Sequence, residues 1–157
     1  MEDLEYEKYP NHEIKPTSLV VLLHGIGADG FDLVPLAEFW SSTLKKTKFY
    51  SLHAPEAYKL APSGRQWFDL EDRDQTRILK EIELVKPIIV NFLEKKLKKN
   101  NLSYKDIVFV GFSQGTMVAL NAIAWSKNSA TRTSVLVMLY NSAIISAESA
   151  PDRLITS

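Results

Sequence analysis

Ser113 stands at the centre of Gly111-Phe112-Ser113-Gln114-Gly115, a Gly-x-Ser-x-Gly pattern. A serine hydroxyl is a weak nucleophile at its own pKa and needs a neighbouring base. This pattern presents it on a sharp strand-to-helix turn, where the hydroxyl is exposed for attack on an acyl carbon. The flanks fit such a turn. Ile107 to Val110 is a β-branched and aromatic run, and Met117 to Leu120 opens a helical one. Strand and helix crowd the serine, so side chains at 111 and 115 would clash there. The competing reading is an ordinary tight turn.

A second stretch, His24-Gly25-Ile26-Gly27-Ala28-Asp29-Gly30, carries three of the six glycines and follows the apolar run Leu19 to Leu23. A loop at that place can supply one donor to a developing oxyanion. Its Ile26 N–H would act with the N–H of Gln114, at the positive end of the helix that starts there. His24 reads as a brace for the loop rather than as the base. In this architecture the acid and the histidine follow the serine. No histidine does: His12, His24 and His53 all precede Ser113, and the only acids after it are Glu148 and Asp152. His53 ends the second apolar strand and so reaches the right edge of a sheet, but it is a poor replacement. The expectation is that the base lies outside this polypeptide. Loss of the histidine costs a serine hydrolase about 10⁶ in turnover, so these residues alone should have little or no activity.

The elements that must position these groups alternate. Strands are expected at 18–23, 48–53, 106–111 and 133–140, with a weaker one near 4–9. Helices are expected at 31–45, 74–98 and 114–126, the second capped by Asp72 or Asp74 and kinked or broken at Pro87. Residues 54–72 hold Pro55, Pro62 and Gly64 and read as a long irregular segment of the kind that often carries function. This order implies an α/β fold, a mostly parallel sheet with helices on both faces. Residues 1–157 would form one domain, with strand 133–140 as a poorly covered edge. Self-association, or a partner that completes the sheet, is expected from that edge.

Composition narrows the classes. Apolar residues make up 45% and charged residues 24%, with 19 basic against 19 acidic side chains. That balance gives no reason to expect nucleic acid as a partner. Cysteine is absent, which excludes disulfides, thiolate metal sites and a cysteine nucleophile. The acidic start, MEDLEYEKYP, is no secretory signal, and no apolar run is long enough to be a transmembrane segment. A cytoplasmic protein without metal or cofactor is expected. The lysines at 95, 96, 98 and 99 suit the end of a helix.

With these residues in view, the chain resembles the phospholipase/carboxylesterase family of α/β-hydrolases, the branch that includes the acyl-protein thioesterases. LHGIGADGFDLVPLA (23–37), HAPEA (53–57), QWFDL (66–70) and GFSQGTMVAL (111–120) carry the resemblance. It covers residues 17–128 well and fades through YNSAIIS (140–146), where Asn141-Ser142 replaces a Ser-Gly pair. The resemblance implies an α/β-hydrolase missing its last strands, acting on carboxylic esters or acyl thioesters. It makes Ser113 the nucleophile, Ile26 and Gln114 the oxyanion donors, and Trp67 a residue along the acyl groove. The competing reading of Trp67 is core packing. A non-catalytic acyl-binding module and one part of a split enzyme remain the alternative functions.

Overall fold

The computed structural model describes residues 4–70, 74–126, 134–139 and 143–147. In chain order the elements are β1 (Tyr6–Tyr9), β2 (Ser18–Leu23), α1 (Val34–Ser41), β3 (Thr47–Leu52), β4 (Glu56–Ala57), β5 (Arg65–Gln66), α2 (Gln75–Asn100), β6 (Ile107–Phe112), α3 (Gln114–Ser126), β7 (Ser134–Leu139) and β8 (Ala143–Ala147). Six strands form one sheet in the order β1-β3-β2-β6-β7-β8. The inner pairings β3–β2, β2–β6 and β6–β7 are parallel; the outer ones, β1–β3 and β7–β8, are antiparallel.

The alternation of side chains along β2 explains the layers. Leu19, Val21 and Leu23 point into a core with Ile82, Val85, Ile89 and Phe92 of α2 and with Val118, Ala119 and Ala122 of α3. Val20 and Leu22 point the other way, into a smaller core with Leu33 and Ala37. A strand covered on both faces must read as an unbroken apolar run, and LVVLL (19–23) does. Each fully buried large aliphatic side chain contributes roughly 1.5–3 kcal/mol.

Strand order reverses between β2 and β6. The chain leaves β2 for β3 on one side and β6 for β7 on the other. The two connections diverge there and leave a crevice beyond the carboxyl ends of β2 and β6, the usual ligand position in such sheets. Leu23 is in register with Gly111, so the stretches that follow, His24-Gly25 and Phe112-Ser113, meet at this crevice.

Several expectations need correction. Strand β7 is not an edge, because β8 pairs with it, Val137 opposite Ile145. Helix α2 is not broken at Pro87, a break being the second of the two outcomes expected there; that residue is exposed, on the side where water can reach the carbonyl it cannot serve. The expected helix 31–45 is a 3-10 turn, Gly30–Leu33, followed by a short α1 that stops at Ser41. The irregular segment contains a small hairpin, β4 against β5. Asp74 caps α2 by accepting the Arg77 N–H, and Asn101 ends it with φ 53°. Asp72, the Asn141-Ser142 pair, Glu148 and Asp152 lie outside the described residues.

Candidate active site

Ser113 follows β6 and precedes α3 with φ 46°, in the left-handed region. For a residue with a side chain that conformation costs roughly 1–2 kcal/mol, and the surroundings impose it. A Cβ on Gly111 would lie 2.6 Å from Thr116 Cα; one on Gly115 would lie 2.2 Å from Leu23 O and 2.6 Å from His24 O. Both glycines are therefore points of backbone contact: strand against helix at 111, helix against the end of β2 at 115. The Ser113 carbonyl accepts the Thr116 N–H at 2.9 Å, which winds the first turn of α3. The residue itself remains exposed.

The 24–30 loop passes directly over it. A Cβ on Gly25 would stand 3.4 Å from Ser113 Cβ. Beyond Gly25, the loop is pinned by Gly27 N–H to Arg65 O (2.9 Å) and Arg65 N–H to Ala28 O (2.9 Å). Among the described residues, no backbone carbonyl takes the N–H of Ile26 or of Gln114. Two donors therefore stand near Ser113 without a main-chain partner, one on the loop and one at the N-terminus of α3. The Gln114 side chain is buried. Its Oε1 accepts the Trp67 N–H at 2.8 Å, and its Nε2 donates to Phe68 O at 2.7 Å.

The histidines are engaged elsewhere. His24 has no solvent exposure. Its Nε2 accepts the Ala54 N–H at 3.0 Å, so the proton sits on Nδ1, which donates to Gly25 O at 2.7 Å. Burial holds its pKa below the ordinary histidine value, against the opposing pull of the bond to Gly25 O. A neutral imidazole thus ties the loop to the segment after β3, as the brace reading expects. His53 accepts the Gly30 N–H on Nδ1 at 3.2 Å and faces Glu7 Oε1 through Nε2 at 3.3 Å. His12 is exposed and contributes its carbonyl to Lys48. Among the described residues no histidine hydrogen-bonds to Ser113.

Trp67 requires a correction. It is fully buried, with its indole N–H on His24 O at 2.8 Å and its ring 5.3 Å from the His24 ring. A side chain with no exposed surface does not line an open groove, so the packing reading describes it. The open space lies beside it. A cleft of about 490 Å³ is lined by residues that include Ile26, Tyr58, Leu60, Leu70 and Ile78, with Lys59 and Asp69 adding charge. Sequence reasoning named only Ile26 of these. The others come from the 54–72 segment and the first turn of α2; the segment's length and, for Asp69 and Leu70, the QWFDL motif were their signals.

Among the described residues, no group of three or more His, Asp or Glu side chains could hold a metal ion. No described helix is long and apolar enough to cross a membrane.

Comparison with known proteins agrees with the fold. The model of the phospholipase/carboxylesterase family matches residues 5–155. A crystal structure of esterase PE8 superposes with a TM-score of 0.73 at 31% identity, covering 88% of this chain and 75% of that one. A carboxylesterase from Mesorhizobium loti shares the fold at a TM-score of 0.56 and 22% identity, over 76% of this chain and 54% of its own. An uncharacterized hydrolase from Mycosarcoma maydis is 27% identical over 92% of this chain; the chain spans 60% of that relative's length.

Proposed function

The chain belongs to the phospholipase/carboxylesterase family of hydrolases, and on that footing we propose that it is a serine hydrolase acting on carboxylic esters or acyl thioesters, with Ser113 as its nucleophile. Ser113 Oγ attacks the acyl carbonyl and gives its proton to water, the alcohol or thiol takes up a proton from water as it departs from the tetrahedral intermediate, and a second water then hydrolyses the acyl-serine to the acid and free Ser113. The N–H groups of Ile26 and Gln114 receive the oxyanion, and the positive end of α3 adds to the field there. The acyl portion lies in the cleft between Ile26 and Ile78. The observation that carries this reading is the left-handed, exposed Ser113 beneath Gly25. Backbone strain held in place by its surroundings marks positions where chemistry is done.

A second reading is favoured by one observation, the engagement of both ring nitrogens of His24 and of His53. By themselves, residues 1–157 then bind an acyl group and turn it over only slowly, for want of a base. Hydrolysis of p-nitrophenyl esters of graded chain length, with and without added imidazole, tests both readings. The expected result is slow hydrolysis that imidazole accelerates beyond its own background and that Ser113→Ala abolishes. Hydrolysis equal in the native chain and in Ser113→Ala would refute the assignment.

A further inference from the structure

We propose that the side chain of Gln114, as distinct from its backbone N–H, is a positioning residue that sets the separation of the two oxyanion donors. This rests on the reading of Ser113 as nucleophile. Segment 65–68 touches both halves of the site. At one end Arg65 pairs by its main chain with Gly27 and Ala28, on the loop that carries Ile26. In the middle the Trp67 indole N–H bonds to His24 O. At the other end the Gln114 carboxamide takes the Trp67 N–H and donates to Phe68 O. The loop donor and the helix donor are thereby tied to one short rigid piece of chain, and the carboxamide is the tie on the helix side.

A carboxamide of this length offers an acceptor and a donor together to those two main-chain groups whatever the pH. The same segment walls the cleft, through Gln66 within it and Asp69 and Leu70 just after it. A group filling the cleft therefore presses on the piece that aligns the donors. Donor alignment matters because an oxyanion hole works through preorganised geometry, and misplacement near 1 Å can cost about a hundredfold in rate.

Octylboronic acid and octan-1-ol separate positioning from mere packing. The boronic acid fills the cleft and reacts: a Ser113 Oγ–B bond forms, the hydroxyl proton goes to water, and the tetrahedral boronate presents its oxygen to the donors. The alcohol fills the cleft only. Titration calorimetry on Gln114→Met is expected to show boronate Kd raised about tenfold or more, with the alcohol Kd within about twofold of native. Gln114→Glu supplies a second readout. Its protonated carboxyl can both accept from Trp67 N–H and donate to Phe68 O, whereas the carboxylate cannot donate. Relative to the native chain at each pH, its boronate affinity should recover as pH falls from about 8 to about 6, since burial raises a carboxyl pKa.

Equal shifts for both ligands in Gln114→Met, no shift for either, or no pH-dependent recovery in Gln114→Glu would overturn the proposal. Should Gln114→Met fail to fold, Gln114→Glu alone decides. Ser113→Ala separates the two levels. If it leaves boronate Kd unchanged, the nucleophile reading falls and this one with it. If it weakens the boronate while the Gln114 variants do not, only the positioning role falls.

Discussion

Replacing Gly115 with alanine places one methyl group against the carboxyl end of β2. The added Cβ would stand 2.2 Å from Leu23 O and 2.6 Å from both His24 O and Leu23 C. All three are main-chain atoms, so no side-chain rotation relieves the clash. Contacts of a Cβ below 3.0 Å are essentially never found, so helix α3 and the end of β2 must separate by most of an ångström. Overpacking of this kind costs about 3 kcal/mol, a large part of a typical stability of about 5–15 kcal/mol. The displacement also carries His24 and Gly25 away from Ser113, which predicts weaker binding of octylboronic acid as well as a lower urea midpoint. Gly25→Ala makes the contrast. Its Cβ would meet Ser113 Cβ at 3.4 Å, an ordinary contact, so stability should fall by less than about 1 kcal/mol while the new methyl covers the serine. The paired assay is urea denaturation followed by calorimetry with the boronate. A Gly115→Ala chain as stable as native, or a Gly25→Ala chain that binds boronate normally, would refute the packing argument for the elbow.

Acid should loosen the His24 brace. Its folded pKa lies below the unfolded value of about 6.5, so the unfolded chain binds the extra proton first, and stability is full above that value and falls as pH drops below it. Urea midpoints between pH 7 and 5 should decline more steeply in the native chain than in His24→Asn; parallel slopes would contradict the assignment. Asp74→Ala removes the side-chain cap of α2 and should cost about 1 kcal/mol, or roughly 2–4 °C in Tm for a chain of this size; an unchanged Tm would contradict it. Strand β8 ends the sheet with one row of backbone groups unpaired by a described strand, a template for further pairing. Sedimentation should therefore depend on protein concentration, and a monomer throughout would contradict that.

Much of the backbone geometry around Ser113 was legible because local patterns encode it. The elbow announces itself through two glycines at fixed distance from a serine, between a β-branched run and a helical one. The loop follows the first buried strand, as the sheet's geometry requires. His24 reads as a brace for the same reason it became one, since a histidine between an apolar strand and a glycine-rich loop is drawn inward. Trp67 was ambiguous because an aromatic residue in a long segment packs inward or lines a groove with the same sequence signature. Its burial is decided by a partner distant in sequence, the carbonyl of His24. The cleft walls at Tyr58 and Leu60 were illegible for a similar reason, since they follow from how the segment folds back on the 24–30 loop. Strand β8 was missed because AIISA is short and its pairing with β7 is a tertiary fact. The continuity of α2 through Pro87 shows context overriding a local rule, because the missing hydrogen bond falls on the exposed side.

Labelling with a fluorophosphonate, mapped by peptide mass spectrometry, tests the central claim most directly. The reagent forms an Oγ–P bond with an activated serine and releases fluoride. We predict slow labelling at Ser113 alone, acceleration by imidazole, and none in Ser113→Ala. Labelling at another residue, or labelling that survives Ser113→Ala, would contradict Ser113 as the nucleophile. Fast stoichiometric labelling without imidazole would show that a base acts within these residues, with His53→Ala as its first test.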